Sequence, residues 1–258
     1  MILGIDHIVI AVPSLEAAME TYRRLGFSVV EGGAHPYGSH NALIGFEDGS
    51  YIELLGFYEE SPAHPWWDLL HERGGGLIDF CMATDDIRAD LAAFRAQGVE
   101  ASDLSEGGRR RPDGYEVKWI NNKVGGAFQG LMPFIIEDVT PRARRLPSEL
   151  TQANGVTGIH CLSLATEDAG RYGAIMGAVL GRDGQAFRDE ELGTSGIRFE
   201  VGSHVLEYLS PKDASSPLRR HLAGKRPAPY RVSFKTRGTA ASYSPGQTEG
   251  VRIDLLSN

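Results

Sequence analysis

The chain has 258 residues, enough to bury a full apolar core in one large domain or in two smaller ones. Hydrophobic residues make up 41% of it and charged residues 23%, as in ordinary globular proteins. The net charge of -8 argues against nucleic acid as the main partner, and the absence of an apolar run of about 18 residues argues against a membrane-spanning helix.

The first predicted unit has the order strand, helix, strand, strand, strand. Ser14 is a typical N-cap, and apolar residues follow it at helical spacing as far as Gly26, which suits a helix C-terminus. The Asp48-Gly49 pair is a strong hairpin signal between the last two strands. The five elements are expected at residues 5–12, 15–25, 27–31, 40–46 and 51–57.

The second predicted unit repeats this order. Its helix is expected to begin at Asp85 or Asp86 and to end near Gln97. A polar stretch with three consecutive arginines at 109–111 follows the helix. The strands of this unit are expected at residues 77–84, 115–121 and 131–136.

The later part of the chain predicts one further complete unit and one degenerate unit. The third unit starts at Ile159, ends near Ser210 and has its helix over residues 169–180. The fourth unit begins with a strand at 230–236 and lacks a convincing helix. A last short strand is expected at 251–256.

A His–Glu pattern occurs twice in these units. His7 opens an apolar strand and Glu53 lies inside another strand 46 residues later, whereas 47 residues separate His160 from Glu207. Repetition at a fixed interval indicates a duplicated structural unit. A His and a Glu inside apolar strands are not solvated surface groups, so each needs a partner, a ligand or a metal ion.

Three stretches of the sequence resemble the glyoxalase-like domain family of the vicinal oxygen chelate superfamily. They are HNAL at 40–43 with DGSYIE at 48–53, RRRPDGYEVKW at 109–119, and LMPFII at 131–136. The resemblance covers about residues 1–210 and implies an α+β fold. Duplicated βαβββ modules would form curved mixed sheets around a cleft, with the helices on the outer face.

The resemblance also implies a division of the chain. Residues 1–140 would form a glyoxalase-like domain of two modules, 141–157 a linker, and 158–258 a third module with a degenerate fourth. The superfamily includes glyoxalase I, extradiol dioxygenases and bleomycin-resistance proteins, so the fold does not choose among reactions.

The first His–Glu pair is the leading candidate for the site. In the cleft that the resemblance implies, a neutral imidazole from His7 and a carboxylate from Glu53 suit a divalent metal ion such as Zn, Fe, Ni or Mn. The ion would act as a Lewis acid on two neighbouring oxygens of a substrate. Aligning the ends of the two first strands places Asp79 opposite His7. The predicted metal ligands are therefore His7, Glu53 and Asp79, and His7 and Glu53 are also the catalytic candidates.

His40, Arg111 and Trp119 are the predicted substrate-binding residues. One arginine of the 109–111 run, next to the strand of Trp119, can bind an anionic group bidentately. Each residue also has a structural interpretation. His40 can be solvated at a strand start, the arginines can be a solvated charge run, and Trp119 can belong to the core.

Several alternatives stay open. His7 and Glu53 can be a buried hydrogen-bonded pair, a metal-free pair that holds a ligand, or a metal site. His160 and Glu207 can be a vestige of duplication, or can complete one site with the first pair in a different packing of the units.

The leading hypothesis for function is a cytoplasmic, metal-assisted enzyme of the lyase, isomerase or dioxygenase type. Its substrate would be a small oxygen-rich or carbonyl metabolite, and a homodimer is allowed. Cys81 and Cys161 lie in apolar runs and are expected as free buried thiols, and no signal peptide is evident. The alternative is a metal-free protein that sequesters a small molecule, of the bleomycin-resistance type.

Overall fold

The structure is a computed structural model that describes residues 1–126, 130–223 and 229–257, without the side chains of 72 and 73. The first eight strands are β1 (Ile2–Ala11), β2 (Val30–Ala34), β3 (Ser39–Gly45), β4 (Tyr51–Phe57), β5 (Gly76–Thr84), β6 (Ser105–Arg110), β7 (Glu116–Lys123) and β8 (Phe134–Asp138). They close into a barrel in the order β1-β4-β3-β2-β6-β7-β8-β5.

The second half of the chain forms an open seven-stranded sheet. Its strands are β9 (Val156–Ala165), β10 (Gln185–Asp189), β11 (Thr194–Val201), β12 (His204–Pro211), β13 (Pro229–Thr236), β14 (Ala241–Tyr243) and β15 (Ile253–Ser257). Their order across the sheet is β10-β11-β12-β9-β13-β15-β14.

The helices of the described residues are α1 (Leu15–Arg24), α2 (Pro65–Arg73), α3 (Ile87–Ala96), α4 (Arg142–Arg145), α5 (Ala169–Leu180) and α6 (Pro217–Leu222), with a 3-10 turn at Pro245–Gln247. Helices α1, α3 and α5 each follow the first strand of a unit, so three units have the predicted strand–helix–strand–strand–strand order. None of these helices combines the length and the apolar character needed to cross a membrane.

The main apolar core lies between the outer faces of the two sheets and the three unit helices. Met19 of α1, Phe94 of α3 and Met176 of α5 all belong to it. The predicted fold class is therefore confirmed: curved mixed sheets of βαβββ modules carry these helices on their outer faces.

Three further helices of the described residues, α2, α4 and α6, were not predicted, and α2 and α6 lie against concave faces. Leu69 and Leu70 of α2 pack with interior residues of the barrel, and Leu218 and Leu222 of α6 pack in the same way on the second sheet. Pro65 stands at the start of α2 and Gly74 caps its end in the left-handed conformation. This Pro-first, Gly-last pattern is a helix signal that the sequence did contain.

The strands β1 and β5 lie side by side, as the sequence predicted, but their register differs from the prediction. The pair is antiparallel, and His7 stands opposite Cys81 while Asp79 stands opposite Val9. Aligning strand ends gave the wrong partner because the ladder is antiparallel and contains three register shifts.

One of these register shifts gives the site its geometry. The pairing steps from Ile5–Met82 directly to His7–Cys81, so Asp6 is an extra residue in β1. A bulge of this kind re-aims the side chains on either side of it. It lets the carboxylate of Asp6 reach the imidazole of its own neighbour, His7.

Candidate functional site

The interior of the barrel contains a cavity of about 290 Å³. Its polar lining residues include His7, His35, Asn41, Glu53, His64, Arg109, Asn121, Lys123 and Arg145. Its apolar lining residues include Leu55, Trp66, Trp119, Phe134 and Ile136. An apolar cavity of this size with converging polar groups is typical of a small-molecule site.

His7 is oriented by its neighbour Asp6. Nδ1 of His7 lies 2.6 Å from Oδ1 of Asp6, and because an ionised carboxylate only accepts, Nδ1 is assigned as the donor. Burial alone would raise the pKa of Asp6, but Arg145 and then His7 hold it well below its ordinary value. The other ring nitrogen, Nε2, is left for the cavity, where it lies 3.5 Å from Oε2 of Glu53.

Glu53 is a buried carboxylate surrounded by nitrogen atoms. The amide of Asn41 donates to Oε1 at 2.6 Å, and Nε2 of His35 lies 3.7 Å from the same oxygen. Burial alone would raise the pKa of Glu53, but His35, His7 and Asn41 together keep it below its ordinary value. Glu53 is therefore an anion at neutral pH, and burial lowers the pKa of His35, which is therefore neutral.

Arg145 stabilises the orientation of Asp6 and His7. Its guanidinium donates to both carboxylate oxygens of Asp6, at 2.7 and 2.9 Å, and to Asp138 at 2.6 and 2.9 Å. It also donates to the hydroxyl of Tyr51 at 2.8 Å, and the ring of Tyr51 stacks on His7 at 4.4 Å. Arg142 is a further donor to Asp6. The imidazole of His7 is thus fixed in both position and tilt.

The family model of the glyoxalase-like domain matches residues 5–180, which is more than half of the chain. This protein belongs to the glyoxalase-like domain family. Its fold is that of the vicinal oxygen chelate superfamily, as the sequence indicated. No curated protein matches the chain.

Solved structures resemble this glyoxalase-like protein in fold. A hypothetical protein from Staphylococcus aureus gives a TM-score of 0.75 at 14% identity, over 99% of this chain and 100% of that one. A mutant of 4-hydroxymandelate synthase from Streptomyces coelicolor gives 0.63 at 14% identity, over 92% and 72%. A xylose isomerase-like TIM barrel/4-hydroxyphenylpyruvate dioxygenase fusion protein gives 0.57 at 17% identity, over 91% and 36%. At these identities the likeness concerns the fold alone.

Asp79, the predicted third ligand, is engaged elsewhere in this glyoxalase-like domain. Its Oδ2 accepts from the ammonium of Lys123 at 2.7 Å and from the indole of Trp66 at 3.0 Å, and its Oδ1 accepts from the backbone of Phe80 at 2.9 Å. It stands opposite Val9 and is not among the residues that line the cavity. The structure places His35 beside Glu53 instead.

The three predicted substrate-binding residues are placed differently from one another. Trp119 lines the cavity, with its ring edge-on to His35 at 6.4 Å. His40 lies outside the cavity and contacts the ring of Tyr58. Arg111 pairs with Asp113 at 3.0 Å and lines a neighbouring groove, whereas Arg109 lines both that groove and the cavity.

Sequence reasoning missed several lining residues, and strand alternation explains one of them. Asn41 follows His40 in β3, so only one of these two side chains can face the interior of the barrel. Arg111, the predicted arginine, lies just beyond the end of β6, whereas Arg109 lies within that strand. His35 follows the end of β2 directly and carried no signal of its own.

The second half contains a counterpart of this site without its histidine. Glu53 stands opposite Val9 in the β1–β4 ladder, and Glu207 stands opposite Ser163 in the β9–β12 ladder. Counting back from these positions, Cys161 is the counterpart of His7, and His160 is the counterpart of Asp6. Strand β9 even has the same register shift, from Ile159 to Cys161.

The charge of Glu207 is already neutralised within the second half. Arg198 donates to its Oε1 at 2.6 and 2.8 Å, and Ser163 donates to its Oε2 at 2.9 Å. Burial raises the pKa of Cys161 beyond the range in which a thiolate forms, so this thiol stays protonated. The first half therefore holds the better candidate for a ligand or metal site.

A pH dependence of stability is expected from His64, one of the residues that line the cavity. Its Nδ1 accepts from the backbone of Trp66 and caps α2, and burial lowers its pKa from 6.5 to about 4. The unfolded chain therefore binds this proton more readily, so stability falls as pH drops from about 6.5 towards 4. After allowance for its partial exposure, the loss should be on the order of 1 kcal/mol.

His64→Asn tests this expectation because asparagine also accepts at an N-cap but does not titrate. Urea unfolding of both proteins at about pH 7 and about pH 5 should show a smaller loss in the variant. An equal loss in the two proteins would assign the acid sensitivity to another group.

Proposed function

We propose that this glyoxalase-like protein is a cytoplasmic enzyme of the lyase, isomerase or dioxygenase type. It binds a small oxygen-rich or carbonyl metabolite in the barrel cavity and uses a divalent metal ion. One observation carries the proposal: Nε2 of His7 and the carboxylate of Glu53 face each other across 3.5 Å inside the cavity. Each is held from its far side by one partner, Asp6 and Asn41 respectively.

The donors present fit a divalent ion. An imidazole nitrogen and an anionic carboxylate are common ligands of Zn, Fe, Ni and Mn. A histidine that donates its second ring nitrogen to a carboxylate, as His7 does to Asp6, has the orientation expected of a metal ligand. His7 and Glu53 would therefore hold the ion, with open positions left for water and substrate.

A second cluster of potential ligands fits less well. Asp6, His7 and Cys81 bring one ligand atom each within 4.8 Å of one another. However, the carboxylate of Asp6 is neutralised by Arg145 and Arg142, and burial raises the pKa of the Cys81 thiol well above its ordinary value. A protonated thiol does not ligate a metal, so this group supports His7 rather than forming a site of its own.

His35 and the aromatic residues of the cavity would have separate roles in such a reaction. The bound ion would supply a Lewis acid for negative charge that develops on a substrate oxygen. His35 is neutral at pH 7 and can accept a proton at Nε2 from a substrate carbon next to a carbonyl group. Trp66, Trp119 and Phe134 form an apolar wall that excludes water from the reacting atoms.

The proposal assigns ligand binding to residues 1–140 and a supporting role to residues 158–258. Contacts between the halves suit such support. Nδ1 of His204 accepts from the backbone of Ile5, just before Asp6, and Nε2 of His204 lies 3.3 Å from Asp48. The second half thus contacts and stabilises the chain near the starts of β1 and β4, the strands of His7 and Glu53.

Metal titration tests the proposed function. The isolated protein should hold less than one ion per chain, because two protein ligands bind more weakly than the four of structural sites. Occupancy should rise when Ni, Mn, Zn or Fe is added. Glu53→Gln should weaken binding by at least about tenfold, since it removes the anionic ligand while keeping the shape.

Glu207→Gln is the matched control, because Glu207 is the counterpart of Glu53 and is neutralised by Arg198. Titration calorimetry should give this variant the affinity of the wild type. If the wild type takes up no metal even at about millimolar concentration, a level at which weak cation sites still fill, the protein is better described as a metal-free sequestering protein of the bleomycin-resistance type.

A further inference from the structure

We propose that the ligand of the barrel cavity is a carboxylic acid whose carboxylate binds the guanidinium of Arg109. The inference rests on the proposed function and deepens it, since it names the substrate class. Arg109 lies on β6, is only 5% exposed and lines the cavity. Within the described part of the chain, its guanidinium forms no ion pair and its Nε atom has no hydrogen-bond partner.

A buried guanidinium without a charged partner is expected to bind an anion. Ionised groups taken out of water are costly unless they are paired, and Arg stays charged at all accessible pH values. Burial lowers the pKa of Arg109 in spite of the attraction of Glu53, so its charge is incompletely compensated. The guanidinium fork matches a carboxylate in two parallel hydrogen bonds.

The other two cationic side chains of the cavity lining already have carboxylate partners. Arg145 is paired with Asp6 and Asp138, and Lys123 is paired with Asp79 at 2.7 Å. Among the described lining residues, Arg109 is therefore the cation left for a ligand.

Asn41 keeps Arg109 from neutralising Glu53 directly. Its amide nitrogen donates to Glu53 at 2.6 Å, and its amide oxygen accepts from Nη1 of Arg109 at 3.3 Å. Both ends of this amide are thus occupied, which fixes its orientation and holds the two charges one side chain apart. Glu53 stays available to a metal ion or a proton, and Arg109 to a substrate.

The backbone at Gly32 leaves space for the contact between Asn41 and Arg109. A Cβ atom at Gly32 would lie 2.1 Å from the amide oxygen of Asn41 and 2.9 Å from Nη1 of Arg109. Only glycine leaves space there for the two side chains to meet.

The rest of the cavity restricts the acid further. A divalent ion bound by one carboxylate leaves net positive charge, which an anionic substrate offsets. The aromatic wall of Trp66, Trp119 and Phe134 suits an apolar remainder, and the volume of about 290 Å³ limits its size. The ligand class is a short carboxylic acid with an apolar or aromatic substituent.

Binding of phenylacetate and its isosteric amide, phenylacetamide, tests the proposal. The two probes differ only in the group that Arg109 would bind, and quenching of tryptophan fluorescence follows both. The wild type should prefer the acid by about tenfold or more, since a charge-assisted bidentate pair is stronger than a neutral one. Arg109→Gln should reduce this preference to about one, and Arg109→Lys should retain part of it.

Arg110→Gln is the matched control, because Arg110 is exposed and paired with Glu116 outside the cavity. It should keep the wild-type preference. Divalent metal uptake by Arg109→Gln should also be unchanged, which separates this proposal from that of the metal site.

Three results would overturn the proposal. One is an Arg109→Gln variant that still prefers the acid. Another is an Arg109→Gln variant that loses affinity for both probes equally. That result would mean that Arg109 has only a structural role, through its bond to the carbonyl of Arg145. The third is a wild type that binds no carboxylate or binds benzylphosphonate more tightly than phenylacetate. A failed metal titration with an intact acid preference would overturn the metal-assisted function and leave this inference standing.

Discussion

Arg145→Met is expected to lower the free energy of unfolding by roughly 3–5 kcal/mol, the cost of removing one partner from a buried ion pair. The side chain of Arg145 is 2% exposed and donates to Asp6, Asp138 and the hydroxyl of Tyr51. Methionine fills similar space, so the loss would come mainly from the carboxylates left behind. Asp6 would keep Arg142 but lose both bonds to Arg145.

Equilibrium unfolding in urea, followed by circular dichroism, measures this loss. Arg219→Met is the matched control, because Arg219 pairs with Glu167 at 2.9 Å where both side chains are well exposed. Such a surface pair typically contributes less than about 1 kcal/mol. Equal midpoints for the two variants would mean that Arg145 does not stabilise the barrel as argued.

The same contacts connect stability to the site. Arg145 lies on the short helix α4, in the segment that the sequence predicts as a linker. Its bonds tie this segment to β1 through Asp6 and to β8 through Asp138. Because Asp6 in turn orients His7, loss of Arg145 should also loosen the imidazole that the proposed function requires.

The unit architecture was predictable because local signals decide it. Ser14, Asp86 and Asp168 each accept from the first turn of a helix, and each stands where a cap is chemically expected. The Asp48-Gly49 turn joins β3 to β4 as its sequence indicated. Signals of this kind act within a few residues, so they are visible without knowledge of the rest of the chain.

The strand register was not predictable in the same way. It depends on pairing between distant segments, and one extra residue changes the partner of every later position. Because the β1–β5 ladder is antiparallel and contains three register shifts, His7 stands opposite Cys81 and not opposite Asp79. The same bulge occurs at His160 in β9, so His160 is the counterpart of Asp6, and matching it to His7 was off by one residue, as the separations of 46 and 47 residues had hinted.

The remaining site residues came from elements without a periodic signal. Strand β6 contains Gly107 and Gly108, which have low strand propensity, so Arg109 was read as part of a polar stretch. His35 directly follows β2. Their placement follows from closure of the barrel, where β2 and β6 meet at Ala34 and Arg110. No local pattern in the sequence encodes that contact.

His7→Gln should reduce divalent metal affinity by more than about a hundredfold, beyond the 10–100-fold that changes to outer partners of a metal ligand typically cost. Glutamine can still donate to Asp6, so the local hydrogen bond to the carboxylate is preserved, whereas the imidazole nitrogen that faces Glu53 is lost. Titration calorimetry with Ni, Mn or Zn measures the effect. Circular dichroism should show that the variant remains folded.

His160→Gln is the comparison that decides which half carries the site. His160 is the counterpart of Asp6 rather than of His7, and the neighbouring Glu207 is already bound by Arg198. Its replacement should leave metal affinity unchanged. If His160→Gln abolishes binding and His7→Gln does not, the ion lies in the second sheet. The buried Asp6–His7–Glu53 arrangement would then be a structural hydrogen-bonded group of the barrel wall, held by Arg145 for stability alone.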